Sequence, residues 1–437
     1  QPKAVKEGKH YGLQYAKAIA SQWGSIEQDN SLMRKRSKVF KRNRSYANGT
    51  QDTAIYRQLL TSMDPNNGDG SFLNIDFTPV PILPKFVRIV TNKILSSEPY
   101  PNLEAVDPLS SSEKDRERRK TEALVKQKEN LKRIKEKVGV DIGKSDEMPD
   151  TLEEAEIFMD NNIKSSSEIA AQIAINMTLK WNDFSESVYR RCVNDLVSIG
   201  MAAVKRSNDP NYGIKTSYVD PEKFIHSYTK DPNFGDLVYA GEVKKITISE
   251  LKRIAAGQLE EEHFEKIAQM AAKKYNYDTS NAFSGSYDKY LEQTKYGYDE
   301  YMVDILDFEF KSVDVMNYES KKSRFGNEGF YQKPENYKAP ENSVFERKAS
   351  RLEVETVYGG LFVMGTDVLL NYGCKTNTPK NIHDLSRASL SYSVVATNFE
   401  EMVPKSMVDS CIGFADQLQL THLKIQQAVA KAKPDGI

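Results

Sequence analysis

The sequence predicts an α+β fold, and three observations carry the prediction. Met407, Cys411, Phe414, Leu418, Thr421, Ile425 and Ala428 recur at steps of four and three, the repeat of one face of a helix that packs lengthwise against neighbours. "VDILDFEFKSVDV" at 303–315 alternates as a strand does, and "LEVETVYGGLFVMGTDVLLNYG" at 352–373 offers two strands turned at Gly365-Thr366-Asp367. "MAAVKRSNDPNYGIKTSYVDP" at 201–221 reads as a hairpin fed by the helix before it, an arrangement that belongs to an α+β layer.

At 437 residues the chain exceeds one ordinary domain, which predicts two or three compact units with a sizeable core. A composition 39% hydrophobic and 28% charged is that of a globular protein. No run approaches the ~18 apolar residues of a membrane helix. The chain starts at Gln1 without a signal-peptide pattern, so both ends are expected to be edges of a fragment. Cys192, Cys374 and Cys411 are scattered, which opposes a disulfide framework or a four-ligand zinc site and favours packing roles. With 61 basic and 62 acidic residues the net charge is −1, against a generic high-affinity DNA binder. The balance leaves room for a surface past which DNA must slide.

In chain order, a basic stretch "RKRSKVFKRNR" at 34–44 leads to an Asn48-Gly49 turn and a short helix through Ile55, Leu59 and Leu60. Pro79, Pro81 and Pro84 keep the next segment extended, and Pro84 suits the first turn of a helix with a buried face of Phe86, Val87, Val90, Ile94 and Leu95, ended at Glu98-Pro99. Residues 110–150 are highly charged and predict a solvated helix or a mobile insertion. Two amphipathic helices follow, "SSSEIAAQIAINMTLKW" and "SESVYRRCVNDLVSIG", the second burying Val188, Cys192, Leu196 and Ile199 and placing Gly200 just past its end. A strand at 237–243 precedes a helix opened by a Thr247/Glu250 capping box and continued through "EEEHFEKIAQMAAKKY". In "VDILDFEFKSVDV" the phase slips at Ile305-Leu306, as a bulge would cause, and 320–348 reads as a polar loop. The terminal helix is expected to stop near Lys433, because Pro434-Asp435-Gly436 is turn chemistry.

Chemical motifs are missing. There is no G-x-x-x-x-G-K-[ST] loop to cradle phosphates, no G-x-S-x-G elbow, and no H-E-x-x-H or H-x-H among His10, His226, His263, His383 and His422. "NNGDGS" at 66–71 lacks the ligand spacing of a calcium loop. The expectation is a structural protein, not an enzyme, with no catalytic residue, metal or cofactor.

The order of parts, "YANGTQDTAIY", "FVRIVTNKILSSEPYP", "VNDLVSIGMAAVK", "TSYVDPEKFIHSYTKDPNFGDLVYAGEVKKITISELK", then strands, then "MVDSCIGFADQLQLTHLKIQQ", resembles the portal proteins of tailed bacteriophages, nearest those of the short-tailed crAss-like phages. The likeness runs over nearly the whole chain and lies in the order of loose motifs. It implies a ring, normally a dodecamer, at one capsid vertex, with an α/β wing, long stem helices and a β-rich clip around an axial channel for double-stranded DNA. Carried over, 1–245 is wing with the charged insertion, 246–300 the helical approach to the stem, 301–385 the β-rich region with the clip, and 386–437 the stem helix ending at the tunnel loop. The second wing portion and any crown would lie after Ile437. Lys424, Lys431 and Lys433 would lie nearest the DNA, although cations also favour a helix C-terminus for its dipole. Met407, Cys411, Phe414, Leu418 and Ile425 would make subunit or stem contacts. The implied partners are further copies, the major capsid protein, the large terminase, head-tail connector proteins and passing DNA, in the virion and in the host cytoplasm during assembly. The alternative is a virion adaptor or scaffold protein that bundles helices without a channel.

Overall fold

The computed structural model describes residues 2–24, 31–62, 75–97, 101, 103–105, 107–127, 137, 154, 164–209, 213–279, 299–322, 328–334, 337, 347–376, 378–380, 384–400 and 402–431. The chain divides into two compact units, Gln1–Leu95 with Ser187–Ile437, and Ser96–Glu186. The first begins with α1 (Lys3–Lys6), α2 (Lys9–Gly24), α3 (Leu32–Asn48), α4 (Ala54–Ser62) and α5 (Ile82–Ser96). The second contains α6 (Pro108–Lys126) and α7 (Ser166–Trp181). A π-helical turn, Phe184–Tyr189, returns the chain to the first unit through α8 (Arg190–Ser198), β1 (Met201–Asp209), β2 (Gly213–Val219), β3 (Phe224–His226) and β4 (Tyr239–Thr247). Then come α9 (Ile248–Ala255), α10 (Glu261–Thr279), β5 (Met302–Lys322), β6 (Glu328–Lys333), β7 (Arg347–Val363), β8 (Leu369–Cys374), β9 (Tyr392–Ala396), β10 (Phe399–Glu400), β11 (Val403–Pro404) and α11 (Met407–Lys431).

The α+β reading holds. The larger sheet runs β3-β4-β5-β7-β8, with β6 added to the far end of β5, and a smaller one runs β2-β1-β9. All their pairings are antiparallel. β4 and β5, on either side of the segment 246–300, are neighbours in one sheet.

The slip at Ile305-Leu306 is not a bulge: β5 keeps an unbroken register with β4 from Met302 to Phe310 and with β7 from Ile305 to Lys321. Both of its faces are buried instead. Val303 and Ile305 pack under Ile248, Leu251, Phe264 and Ile267 of α9 and α10. Leu306, Phe308 and Phe310 pack under Ala16 and Ile19 of α2. A strand covered on both sides has no reason to alternate. The register shift falls on β7, between Gly359 and Leu361.

Several other expectations need correction. The helix begun at Thr247 does not run on. Thr247 accepts from the Glu250 N–H at 3.2 Å, but Ala256 and Gly257 both turn left-handed and end α9 before α10 starts. Part of the stretch 320–348 is strand, because β5 reaches Lys322 and β6 pairs with it. In α5 the buried residues are Leu83, Val87 and Thr91, whereas Phe86 and Ile94 are exposed: only one stripe of the helix meets the shared cluster with Ala47, Val197 and Val408, and α5 has more apolar residues than that stripe can hold. α4 turns Tyr56 and Leu60 inward and leaves Ile55 outside. In α7 the buried residues are Glu168 and Gln172, while Ile169, Ile173, Met177 and Trp181 are exposed. Glu168 is drawn in by a capping box with Ser165, the Ala105 N–H and Lys114 at 2.5 Å. The charged segment from 110 is α6 as far as Lys126, and "NNGDGS" lies outside the described residues. α8 buries Val188, Cys192 and Ile199 around its start and end as expected, with Leu196 half-buried.

Buried ion pairs join these layers. Lys205 of β1 pairs with Asp307 of β5, Lys375 pairs with Glu309, and Lys244 bridges Glu242 at 2.8 Å and Asp307 at 3.6 Å. Lys6 of α1 is buried with Asp314, 2.8 Å away, whose other oxygen accepts from Tyr358 at 2.9 Å. Such pairs add little net stability when intact but make separation costly, since either ion alone would be stranded away from water.

Candidate assembly surface on the terminal helix

α11 has two apolar faces. The inner one begins at a backbone crossing. Gly200, just past α8 with φ of +77°, lies so close to the chain before α11 that a Cβ there would sit 2.8 Å from the Lys405 carbonyl oxygen. Only glycine combines that φ with that approach. Ser406 then caps α11, its Oγ accepting from the Asp409 N–H at 3.0 Å and from Asn43 Nδ2 of α3 at 3.2 Å. Arg42 of α3 pairs with Asp409.

Further along, Val408 is fully buried among Ala47, Leu83, Val87 and Val197, with Met407, Cys411, Ile412 and Ala415 packed around them. Asp416 Oδ1 accepts from the hydroxyls of Tyr46 and Tyr56, each at 2.6 Å. Burial and the facing carboxylate push both phenols above their ordinary range, so both stay protonated donors. Gln419, 1% exposed, acts as a substitute strand edge: its Oε1 accepts from the Val80 N–H at 2.8 Å and its Nε2 donates to the Thr78 carbonyl at 3.3 Å. Gln426 repeats half of this, accepting from the Asp76 N–H at 3.1 Å. Leu423 is buried with Tyr56 and Leu60, against Phe77 and Ile75. The extended segment before α5, kept extended by its prolines, thus lies along α11 through two glutamines.

The outer face carries most of the sequence stripe. Phe414 is 71% exposed, Leu418 49%, Ile425 58% and Val429 70%. At 100° per residue these four fall within about 60° of one another, facing away from Val408, Gln419 and Leu423. Met407 and Cys411, where the stripe begins, are half-buried in the chain's own core. The polar residues of α11 are divided: Gln417 and Lys424 are exposed, but Gln419 is buried, and Asp409 and Gln426 are tied to α3 and to the 75–80 segment. The apolar stripe alone does not reveal these anchors, because glutamines and aspartates on a helix ordinarily face solvent. Their spacing was the available signal, since Asp409, Asp416, Gln419 and Gln426 share one side with Ile412, Ala415 and Leu423.

Lys424 is exposed on the helix, whereas the side chain of Lys431 and all of Lys433 lie outside the described residues, as does Pro434-Asp435-Gly436. Among the described residues no group of three His, Cys, Asp or Glu could hold a metal ion, and no helix is long and apolar enough to cross a membrane. Cys192 is buried and its thiol is pushed up to about 12, by burial first and then by Asp195. No family model matches the chain, and no curated protein matches it as a relative.

Proposed function

We propose that this chain is a ring-forming structural subunit of a tailed-phage portal vertex, whose rings conduct double-stranded DNA and provide a docking platform for the packaging motor and neck proteins. The observation that carries the reading is the outer face of α11. A helix held rigidly on its inner face by a cap, an ion pair, two tyrosines and two glutamines presents four large apolar side chains to solvent in a row. Rows of this kind on otherwise polar surfaces mark protein contacts. A closed ring requires each subunit to offer two different patches, and this face supplies one of them. The near-neutral charge suits a channel that must pass a polyanion without gripping it. The wing, stem and clip assignments, the dodecameric count, the capsid and terminase partners and the DNA-facing role of Lys424 rest on the sequence resemblance alone. Light scattering on the purified chain tests the reading. A discrete closed multimer is expected, without ATPase or nuclease activity, and a monomer at high concentration would overturn it.

A further inference from the structure

Arg36 of α3 is 3% exposed, and each of its partners is neutral. Nη1 donates to His226 Nε2, Nη2 donates to the Phe224 carbonyl and lies 3.1 Å from Met33 Sδ, and the guanidinium stands 5.9 Å over the Phe40 ring. A guanidinium only donates, so His226 Nε2 must be the acceptor. Nδ1 therefore carries the hydrogen and donates to the Ser227 carbonyl at 2.8 Å. The imidazole, 6% exposed, is closed in by the rings of Phe224 at 5.5 Å and Phe234 at 5.1 Å. Phe234 is itself held at φ of +55°, an uncommon conformation for an aromatic residue.

The charged groups on the surrounding elements either have other partners or, like Lys35 and Lys38 of α3 and Lys245 of β4, are exposed. On α3, Arg42 binds Asp409, and Arg44 binds Asp195, Asp220 and Glu222. On β4, Glu242 faces Lys244. In the loop after β3, Asp231 accepts from the N–H groups of Asn233 and Gly235, and Asp236 takes the Thr229 hydroxyl. β9 offers the Tyr392 ring against Phe224, and β10 the Phe399 ring against Phe234. Among the described residues no carboxylate forms an ion pair with Arg36 or His226.

We propose that Arg36 and His226 form an acid-sensitive latch: a proton taken up at His226 Nε2 displaces the Arg36 donor, sets two buried cations against each other, and releases α3 from β3. The release reaches the seat of α11 by two routes. Asn43, two turns beyond Arg36, holds the Ser406 cap. The ring chain His226, Phe234, Phe399 ends in the β10-β11 hairpin, directly before that cap. Burial and the Arg36 charge hold His226 down at about 3 in the closed form. An opened form regains the ordinary value of about 6.5. The closed form is therefore fully favoured above about pH 7 and loses ground as pH falls from about 6.5 towards 3, with opening made about 200-fold easier between pH 7 and pH 4. The latch does not depend on the portal reading.

Amide hydrogen exchange of the full chain across that range, corrected for intrinsic rates, tests it. Protection of α3, β3 and the first turn of α11 should fall by about 200-fold between pH 7 and pH 4 in the wild type. It should fall far less in His226→Gln, whose amide can accept from Arg36 and donate to Ser227 but cannot take a proton. An equal fall in both proteins overturns the proposal. Where the variant does not fold, the His226 imidazole resonance of the wild type decides: no titration above about pH 4 supports the latch, and a midpoint near 6.5 with α3 still protected ends it.

Discussion

Replacing Leu418 or Ile425 by Asp should leave the subunit folded and prevent its assembly. Both side chains are about half exposed in the chain, so each has already taken only part of its burial energy. Full burial of a Leu or Ile is worth about 2–3 kcal/mol, which leaves about 1 kcal/mol per side chain to be gained against a partner. The Asp variant forfeits that share and places a carboxylate in a closing seam, at a further cost of several kcal/mol. At about 1.4 kcal/mol per decade, association should weaken by more than about 100-fold. The isolated fold should lose only about 1 kcal/mol. Thermal melting with light scattering separates the two effects. Leu423→Ala provides the contrast, because Leu423 is fully buried against α4 and its truncation should cost about 2–5 kcal/mol of folding stability. Assembly unchanged in Leu418→Asp would refute the argument, and so would a melting loss as large as that of Leu423→Ala.

Three further outcomes are expected. Gly200→Ala should destabilise by at least about 1–2 kcal/mol through its left-handed φ, with additional loss from the collision at Lys405, and denaturant titration should register it. Gln419→Leu should strand the Val80 N–H and Thr78 carbonyl, costing about 1–3 kcal/mol, with faster hydrogen exchange at the Val80 amide as the specific sign. Lys6→Met should cost about 3–5 kcal/mol near pH 7 by leaving Asp314 buried without its cation. Burial works to raise the Asp314 pKa, but Lys6 and the Tyr358 and Thr356 hydroxyls outweigh it and hold the carboxyl below its ordinary 3.8. The stability from Lys6 is therefore present above pH 4 and fades as pH falls through the lower folded value. The melting gap between the two proteins should narrow in acid, and a gap constant down to pH 2 would count against the pair.

What the sequence revealed depended on how many sides of an element were covered. Hairpin β1-β2 and the Gly365 turn were legible because Gly213 and Gly365 mark their positions locally. β5 was misread in phase because it is covered by α2 on one face and by α9 and α10 on the other, so Ile305 and Leu306 are both core. The stripe on α11 was found at the right spacing, but periodicity cannot tell a face turned to the chain's own core from one turned outward. Gln419 shows the difficulty most plainly: its burial depends on backbone groups of residues 78 and 80, more than three hundred positions away. Arg36 lay within the quoted basic run, and nothing in "RKRSKVFKRNR" distinguishes it from its solvated neighbours, because its partner His226 comes from another element.

Negative-stain images of the purified chain at micromolar concentration test the central claim most directly. Rings of uniform subunit number with a central hole are expected, and they should vanish in Leu418→Asp. Compact particles without a pore would instead favour an adaptor or scaffold protein, and single subunits alone would contradict a ring built on α11.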